Sequence, residues 1–566
     1  MDQQRPFLYL TLFFLGFLIW STWQQEHAPK PAPETTQQAQ NSQSQQGQIA
    51  QNNSQAPNIP SGSNFSINTA EQNKAQAQQA SGKKIHVKTD VLDLMIDLQG
   101  GTISQVDLPT YPVSLEEKDK AIRILDMQKS YSAQSGFRHQ DDANGAYRGD
   151  LAPSHYTNYS TEKSEYVLAE GQNQIIVPLV WDNGKGVKVT KNYIFERGNF
   201  SVKLNNIVDN QSENPWIGTY YMQLTHGRDT ESRSMLTGGA ITYTGPAYYH
   251  DKYIKVSFGD VEDEDLSDTV KGGWVAMLQH YFVSAWIPTE NTENTVYTRF
   301  VKETSNFVIG TRTPYTTINS GAKNSFDSQF YVGPTDQEKL AKLSTGLDLT
   351  VDYGIFAFVS KPIFSAMNFI HGYVDNWGWT IILLTILIKI IFFYPSAISY
   401  KSMAKMKKLG PKIKEIADKY KNDPQGKQKA TMAFYRKEKI NPLGGCLPML
   451  IQMPVFMGLY WVLQESVELR QAPWMFWYED LSLKDPLFIL PLLYGASMFI
   501  QQKLNPPVSQ DPMQQKIFMY LPVVFTFMFL WFPSGLVLYW VVNNILTIAQ
   551  QWFINKKILG DDALNH

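Results

Sequence analysis

The chain has 566 residues, enough for several domains, and a formal net charge of -2 that gives no global reason to expect a nucleic-acid partner. Its one cysteine, Cys446, excludes an intramolecular disulfide framework and any multi-cysteine metal site. The mean hydropathy of -0.28 conceals a division, with polar residues collected in the first two thirds and apolar ones after about residue 353.

Near the start, FLYLTLFFLGFLIWSTW (Phe7 to Trp23) follows Arg5, and no small-x-small cleavage site comes after it. This favours an uncleaved signal-anchor span over 1–23, rather than a removed signal peptide, with the amino terminus inside. Residues 24–83 are rich in Gln, Asn, Ser, Ala and Pro and nearly lack aliphatic or aromatic side chains. They cannot bury enough apolar area to offset ordering entropy, so they read as a flexible linker, outside the membrane if the amino terminus is inside.

From residue 84 to 350, short alternating runs such as DVLDLMIDLQGG, GVKVTKNYIF, FSVKLNNIVDN and FDSQFYVGP are separated by turn residues. Period-two patterning predicts one large antiparallel, all-beta sandwich outside the membrane. His155, His226, His250 and His280 are candidate acid/base groups, but none belongs to a local motif that fixes a partner, and they read as scattered surface or core histidines. No P-loop pattern occurs, which argues against an ATP-driven machine of that class.

Residues 351–376 are apolar and aromatic but interrupted by Ser360, Lys361 and Pro362, which suits an interfacial amphipathic helix. Five apolar segments follow, at about 377–395, 443–464, 487–503, 517–533 and 535–555, making six spans with the N-terminal anchor. Residues 396–440 hold thirteen Lys or Arg against four Asp or Glu, whereas 465–486 hold two against five. The first is therefore cytoplasmic and the second external, and parity places the beta domain outside and the 556–566 tail, with Lys556 and Lys557, inside. Within 396–440, Met403, Met406, Leu409, Ile413, Ile416 and Tyr420 recur at helical spacing before NDPQG, and Met432, Tyr435 and Lys439 continue the pattern after it. This predicts a basic helical hairpin bearing Lys405, Lys407, Lys408, Lys412 and Arg436. Two compatible readings stand: positive-inside charge on a solvated or headgroup-facing hairpin, and a docking arm for an acidic partner or ribosomal RNA.

Lys389 lies within the first of the five segments, roughly 9 Å along the helix from Pro395. A lysine at mid-bilayer costs about 2.5 to 3.5 kcal/mol and less near an end, so snorkelling is one account of it. Its company suggests another. Thr385 is one turn below on the same face, and Trp540, Asn543, Asn544, Thr547 and Gln551 form a stripe at spacings of three and four. Gln452, Ser497 and Gln501 add polar atoms from two further segments. Polar side chains facing hydrocarbon are costly, so these faces are expected to turn toward a shared hydrated cavity, where a single cation attracts anionic groups.

NPLGGCLPMLIQMPVF (Asn441 to Phe456), SVELRQAP (Ser466 to Pro473), DPMQQK (Asp511 to Lys516), FLWFPSGLVLYW (Phe529 to Trp540) and KGGWVAMLQHYFVSAWIP (Lys271 to Pro288) closely resemble the YidC family of bacterial membrane-protein insertases. The resemblance covers practically the whole chain. It implies a polytopic alpha-helical membrane protein of six spans, whose five-helix core at 377–555 carries the cytoplasmic hairpin, plus a periplasmic all-beta supersandwich. It also implies an insertase and chaperone of the bacterial inner membrane. Its implied partners are nascent membrane proteins, the lipid bilayer and the Sec translocon with its SecD/SecF subunits, with the ribosome and signal-recognition-particle receptor as further candidates.

In such proteins a hydrophilic groove opens to cytoplasm and lipid. The matching groove residues here are Lys389, Thr385, Tyr539, Trp540, Asn543, Asn544 and Gln452. Lys389 stands where the family usually has arginine, keeping the charge but losing the planar donor fork, and Trp540 stands where a second tyrosine is more usual. Family contacts to substrate helices map onto Cys446, Met453, Pro454, Phe456, Leu459, Phe525 and Phe529. No chemical step or bound cofactor is required. A channel or anion transporter using Lys389 is the alternative reading, disfavoured because no inverted-repeat pattern or paired intramembrane acid is present. A tethered periplasmic sugar enzyme would leave the polar stripe unexplained.

Overall fold

The computed structural model describes residues 83–141, 148–227, 243–420, 423–438, 447–504 and 512–559. The expected N-terminal span, the linker, Cys446 and the end of the tail lie outside the described residues, as does the side chain of Lys407. The chain separates into two units, one containing Lys405–Pro442 and the other containing the remaining described residues.

Alternation of buried and exposed positions builds two sheets between Lys84 and Pro334, as in Val187–Glu196, where inward residues Val187, Val189, Lys191, Tyr193 and Phe195 are all buried. The smaller sheet has eight strands in the order Lys252–Lys255, Gly245–His250, Val275–Gln279, Phe282–Pro288, Ala322–Pro334, Ser201–Asn210, Val187–Glu196 and Gln174–Asp182. The larger has eleven. Its centre places Asn306–Arg312, Trp216–Gly227, Ser132–His139 and Thr102–Pro112 side by side. Among the described residues the strand pairs are antiparallel except Lys84–Lys88 with Glu165–Val167, a parallel pair that the alternation pattern could not reveal.

The two sheets share one apolar core containing Trp216, Trp274 and Trp286. Polar ties cross it. The Trp286 indole donates to the Gln223 carbonyl at 3.0 Å, and Lys191, 0 % exposed, donates from Nζ to Gly100 O at 2.8 Å, Ser135 O at 3.0 Å and Ser135 Oγ at 3.1 Å. Burial pulls the Lys191 ammonium down to about 7. Beside it, the Tyr221 hydroxyl accepts from the His155 backbone N–H at 3.0 Å and meets His155 Nδ1 at 2.6 Å. Burial holds that imidazole neutral, at about 3.

After this domain come α1 (Ala357–Val374), α2 (Trp377–Ile391), α3 (Phe393–Lys408), α4 (Gly410–Lys419), α5 (Pro424–Lys437), α6 (Leu447–Glu465), α7 (Ile489–Leu504), α8 (Pro512–Phe529) and α9 (Ser534–Leu559). Helix α1 buries Ser360, Ile363, Phe364 and Met367 while exposing Phe358, Phe369 and Tyr373, and its Ser360 hydroxyl donates to Gly458 O of α6 at 3.0 Å. Asn376 caps α2 by accepting from the Trp379 N–H at 3.1 Å. Asp485 does the same for α7, accepting from Leu490 N at 2.7 Å. Helix α9 packs against both α2 and α7.

The apolar segment expected to run unbroken to Pro395 instead ends at Ile391, where α2 and α3 meet at a bend of 67°. Pro395 has no N–H to donate to Ile391, and its ring crowds that carbonyl, so the helix cannot continue straight through. Among the described residues no single helix is long and apolar enough to cross a membrane, whereas Trp377–Ile391 and Phe393–Met406 satisfy length and composition together.

In the hairpin unit, α4 and α5 pack together with Ile413 and Ala417 buried, and Asp423 caps α5 through its bond from Gly426 N at 2.9 Å. Lys405, Lys408, Lys412 and Arg436 are exposed.

Candidate functional site

The amides and the threonine of the expected α9 stripe point inward. Asn543, Asn544, Thr547 and Gln551 are all buried, which a 3.6-residue repeat achieves by stacking them on one face. Lys389, partly buried on α2, donates from Nζ to Thr547 Oγ1 at 2.7 Å. Thr547 in turn donates to the Asn543 carbonyl at 2.7 Å, so its hydroxyl is used in both directions. Asn544 Nδ2 donates to Ser497 Oγ of α7 at 3.2 Å. On α6, Gln452 donates to the Asn543 side-chain carbonyl and lies 3.5 Å from the Tyr539 hydroxyl, at the limit for a hydrogen bond. Four helices thus contribute to one polar seam: α2, α6, α7 and α9.

Thr385 is placed differently from Lys389. It is buried at 1 %, and its hydroxyl donates to the Ile381 carbonyl at 2.6 Å within its own helix. Trp540 packs among rings, with centroids 4.6 Å from Phe456, 5.9 Å from Tyr494 and 6.0 Å from Phe529. Its indole N–H is buried and finds no acceptor among the described residues. The expected substrate-contact residues divide by exposure. Met453 is 40 % exposed, Pro454, Phe456 and Phe525 are half-buried, and Leu459 and Phe529 are buried in the helical core.

Sequence reading missed how the 466–485 segment covers one end of these helices. The 466–485 segment folds over the starts of α2 and α9: Leu483 O accepts from Ser534 N at 2.7 Å, and Leu481 O accepts from Gly535 N at 3.0 Å. Asn376 Nδ2 donates to Trp474 O at 3.0 Å. Trp474 lies so close to Gly378 that a Cβ there would stand 2.1 Å from its ring. The available signal was a glycine between Trp377 and Trp379, where a small residue permits close approach. The same segment reaches the beta domain through Arg470, whose Nη2 donates to Pro112 O at 2.6 Å and Val113 O at 3.0 Å.

Comparison with known proteins decides the family. The YidC periplasmic domain matches residues 84–366, and the 60Kd inner membrane protein family matches 369–561. A membrane protein insertase YidC from Thioalkalivibrio sulfidiphilus is 45% identical over 99% of this chain and 99% of its own length. The chain belongs to the YidC family. Another YidC relative, from Methylococcus capsulatus, is 44% identical over 100% of both chains. A solved structure of an active YidC insertase with its first transmembrane domain resolved aligns over 83% of this chain and 92% of that one, at 18% identity and a TM-score of 0.37. In YidC terms, the two sheets are the periplasmic beta-sandwich domain and α1 to α9 make up the helical C-terminal region.

Proposed function

We propose that this chain inserts membrane proteins into the bacterial inner membrane by receiving a substrate's short translocated tail in the polar seam between α2, α6, α7 and α9. The observation that carries the reading is the bond from Lys389 to Thr547 across two helices, which holds the ammonium among buried amides and hydroxyls. Only one of the three ammonium protons is needed for that bond, which leaves donors for an incoming carboxylate. The segments 377–395, 443–464, 487–503, 517–533 and 535–555, the first running through the bend from α2 into α3, serve with the N-terminal segment as six spans, and the basic hairpin faces the cytoplasm.

Free energy comes from the substrate. About 20 apolar residues moving into hydrocarbon supply it, and the seam shortens the dehydrated path of the polar tail. Met453, exposed on α6, and half-buried Phe525 on α8 are suited to guide the substrate's apolar helix, with the buried Phe529 ring stacked 6.3 Å from Phe525. The 466–485 segment closes the external end, so that the tail meets a dead end until the substrate helix has slid into lipid. Exposure of Lys405, Lys408, Lys412 and Arg436 supports reading the hairpin as the arm that meets the ribosome or an acidic targeting partner, and the Sec translocon is the second machine with which this insertase works.

A photo-crosslinking residue at position 389 tests the proposal. It should capture the polar tail of a stalled single-span nascent chain, while one at position 453 captures its apolar helix. Capture of neither, with capture elsewhere on the surface, would remove the seam from the substrate path.

A further inference from the structure

The 473–478 turn, PWMFWY, carries no charge and is followed by Glu479 and Asp480. Its base is closed by Trp474 N–H donating to Tyr478 O at 2.8 Å, and Tyr478 N–H donates to Met475 O at 3.2 Å. Tyr478 is buried and its hydroxyl donates to Asp485 at 3.1 Å, so the turn stands on a fixed foot. At its tip Phe476 is 79% exposed, holds a left-handed φ of 57° and stacks on Trp477 with ring centroids 5.7 Å apart. A bulky residue rarely adopts that backbone conformation, and here it holds an apolar ring away from the fold. Next to the turn, Trp379 lies edge-on to Trp474 at 6.0 Å and is itself exposed, as is Tyr373 at the end of α1.

The geometry points to this turn as an interfacial anchor, with Phe476 and Trp477 seated in the headgroup and upper acyl region of the external leaflet. The occupant is lipid, because the exposed rings continue the exposed apolar surfaces of α2 (Leu383, Ile390) and α7 (Leu492) past the external ends of those helices. Tryptophan and tyrosine favour that zone, where the ring is sheltered and the polar edge stays wet. Glu479, exposed on the chain just beyond the tip, suits the water side. Fixing this turn at the interface also fixes the external closure, since Trp474 and Leu481 belong to the same segment. The inference rests on reading the helices as membrane spans.

Mass-spectrometric footprinting of the full chain in phosphatidylethanolamine and phosphatidylglycerol vesicles tests it, with a lipid-phase diazirine in one arm and water-phase hydroxyl radicals in the other. Exposed Tyr156 and Tyr315 of the beta domain serve as the aqueous reference. The 473–478 peptide should be carbene-labelled several-fold above that reference and oxidised several-fold below it. Oxidation at the reference level without carbene labelling overturns the anchor in favour of water, and protection from both reagents overturns it in favour of a covering protein. If Leu383, Ile390 and Leu492 also escape the carbene, the spans themselves fail. If they are labelled and the turn is not, only the anchor fails.

Discussion

At the scale of single residues, three wholly or partly buried ionisable groups separate function from stability. Lys389 bonds to Thr547, which retains the Asn543 carbonyl as its own acceptor, so removing the ammonium strands no buried donor. Lys389→Met should therefore change stability by less than about 1 kcal/mol, because a desolvated cation contributes little net stability. The same change should slow insertion of acidic-tailed substrates about tenfold, equivalent to ~1.4 kcal/mol of barrier, and Lys389→Arg should restore it. Lys191 is the opposite case. Its three bonds lie inside the sandwich, and Lys191→Met removes all of them at a cost of about 3 kcal/mol, measurable by denaturant unfolding of the beta domain's tryptophan signal.

Glu468 is raised to about 7, first by burial and then by the carboxylates of Asp336 and Glu338. The folded state therefore holds this proton up to a higher pH than the unfolded state does. Its contribution to stability is present below about 4.5 and is lost as pH rises toward 7. Thermal melts across that window should decline less steeply in Glu468→Gln, and an unchanged slope would contradict the assignment.

At the scale of elements, the closure over the starts of α2 and α9 depends on one glycine. Gly378→Ala places a Cβ 2.1 Å from Trp474, which forces the 466–485 segment off the start of α2. The expected cost is about 1–3 kcal/mol, read as a lower Tm together with faster proteolysis between Glu465 and Asp485. Much of the element pattern was legible: runs such as GVKVTKNYIF became strands with alternate residues inward, and each apolar segment after residue 376 holds a helix. The bend at Ile391 was legible in Pro395 but was outweighed by the continuous apolar run around it. The closure by Trp474 and Leu481 was not legible, because contacts between a loop and helices distant in sequence leave no periodicity. Thr385 shows a similar limit: spacing put it on the Lys389 face, yet its hydroxyl returns to its own backbone, a choice open to any helical threonine.

At the scale of the whole molecule, a polar average concealed a chain whose sandwich hides its charge-bearing interior and whose helices turn a polar stripe inward. The stripe was visible as Asn543, Asn544, Thr547 and Gln551, but its partners on α2, α6 and α7 required the fold to bring four segments together. On the proposed reading the helical region does the work of insertion, with Lys389 handling charge and the substrate's own apolar helix supplying the free energy.

The most direct test is reconstitution of the purified full chain in liposomes with two single-span substrates that share an apolar helix and differ in having an acidic or an uncharged tail. The account predicts that Lys389→Met slows protease-protected insertion of the acidic-tailed substrate about tenfold while the uncharged one inserts as before. Equal rates for both substrates in wild type and variant would contradict the claim that the polar seam receives the substrate's charge.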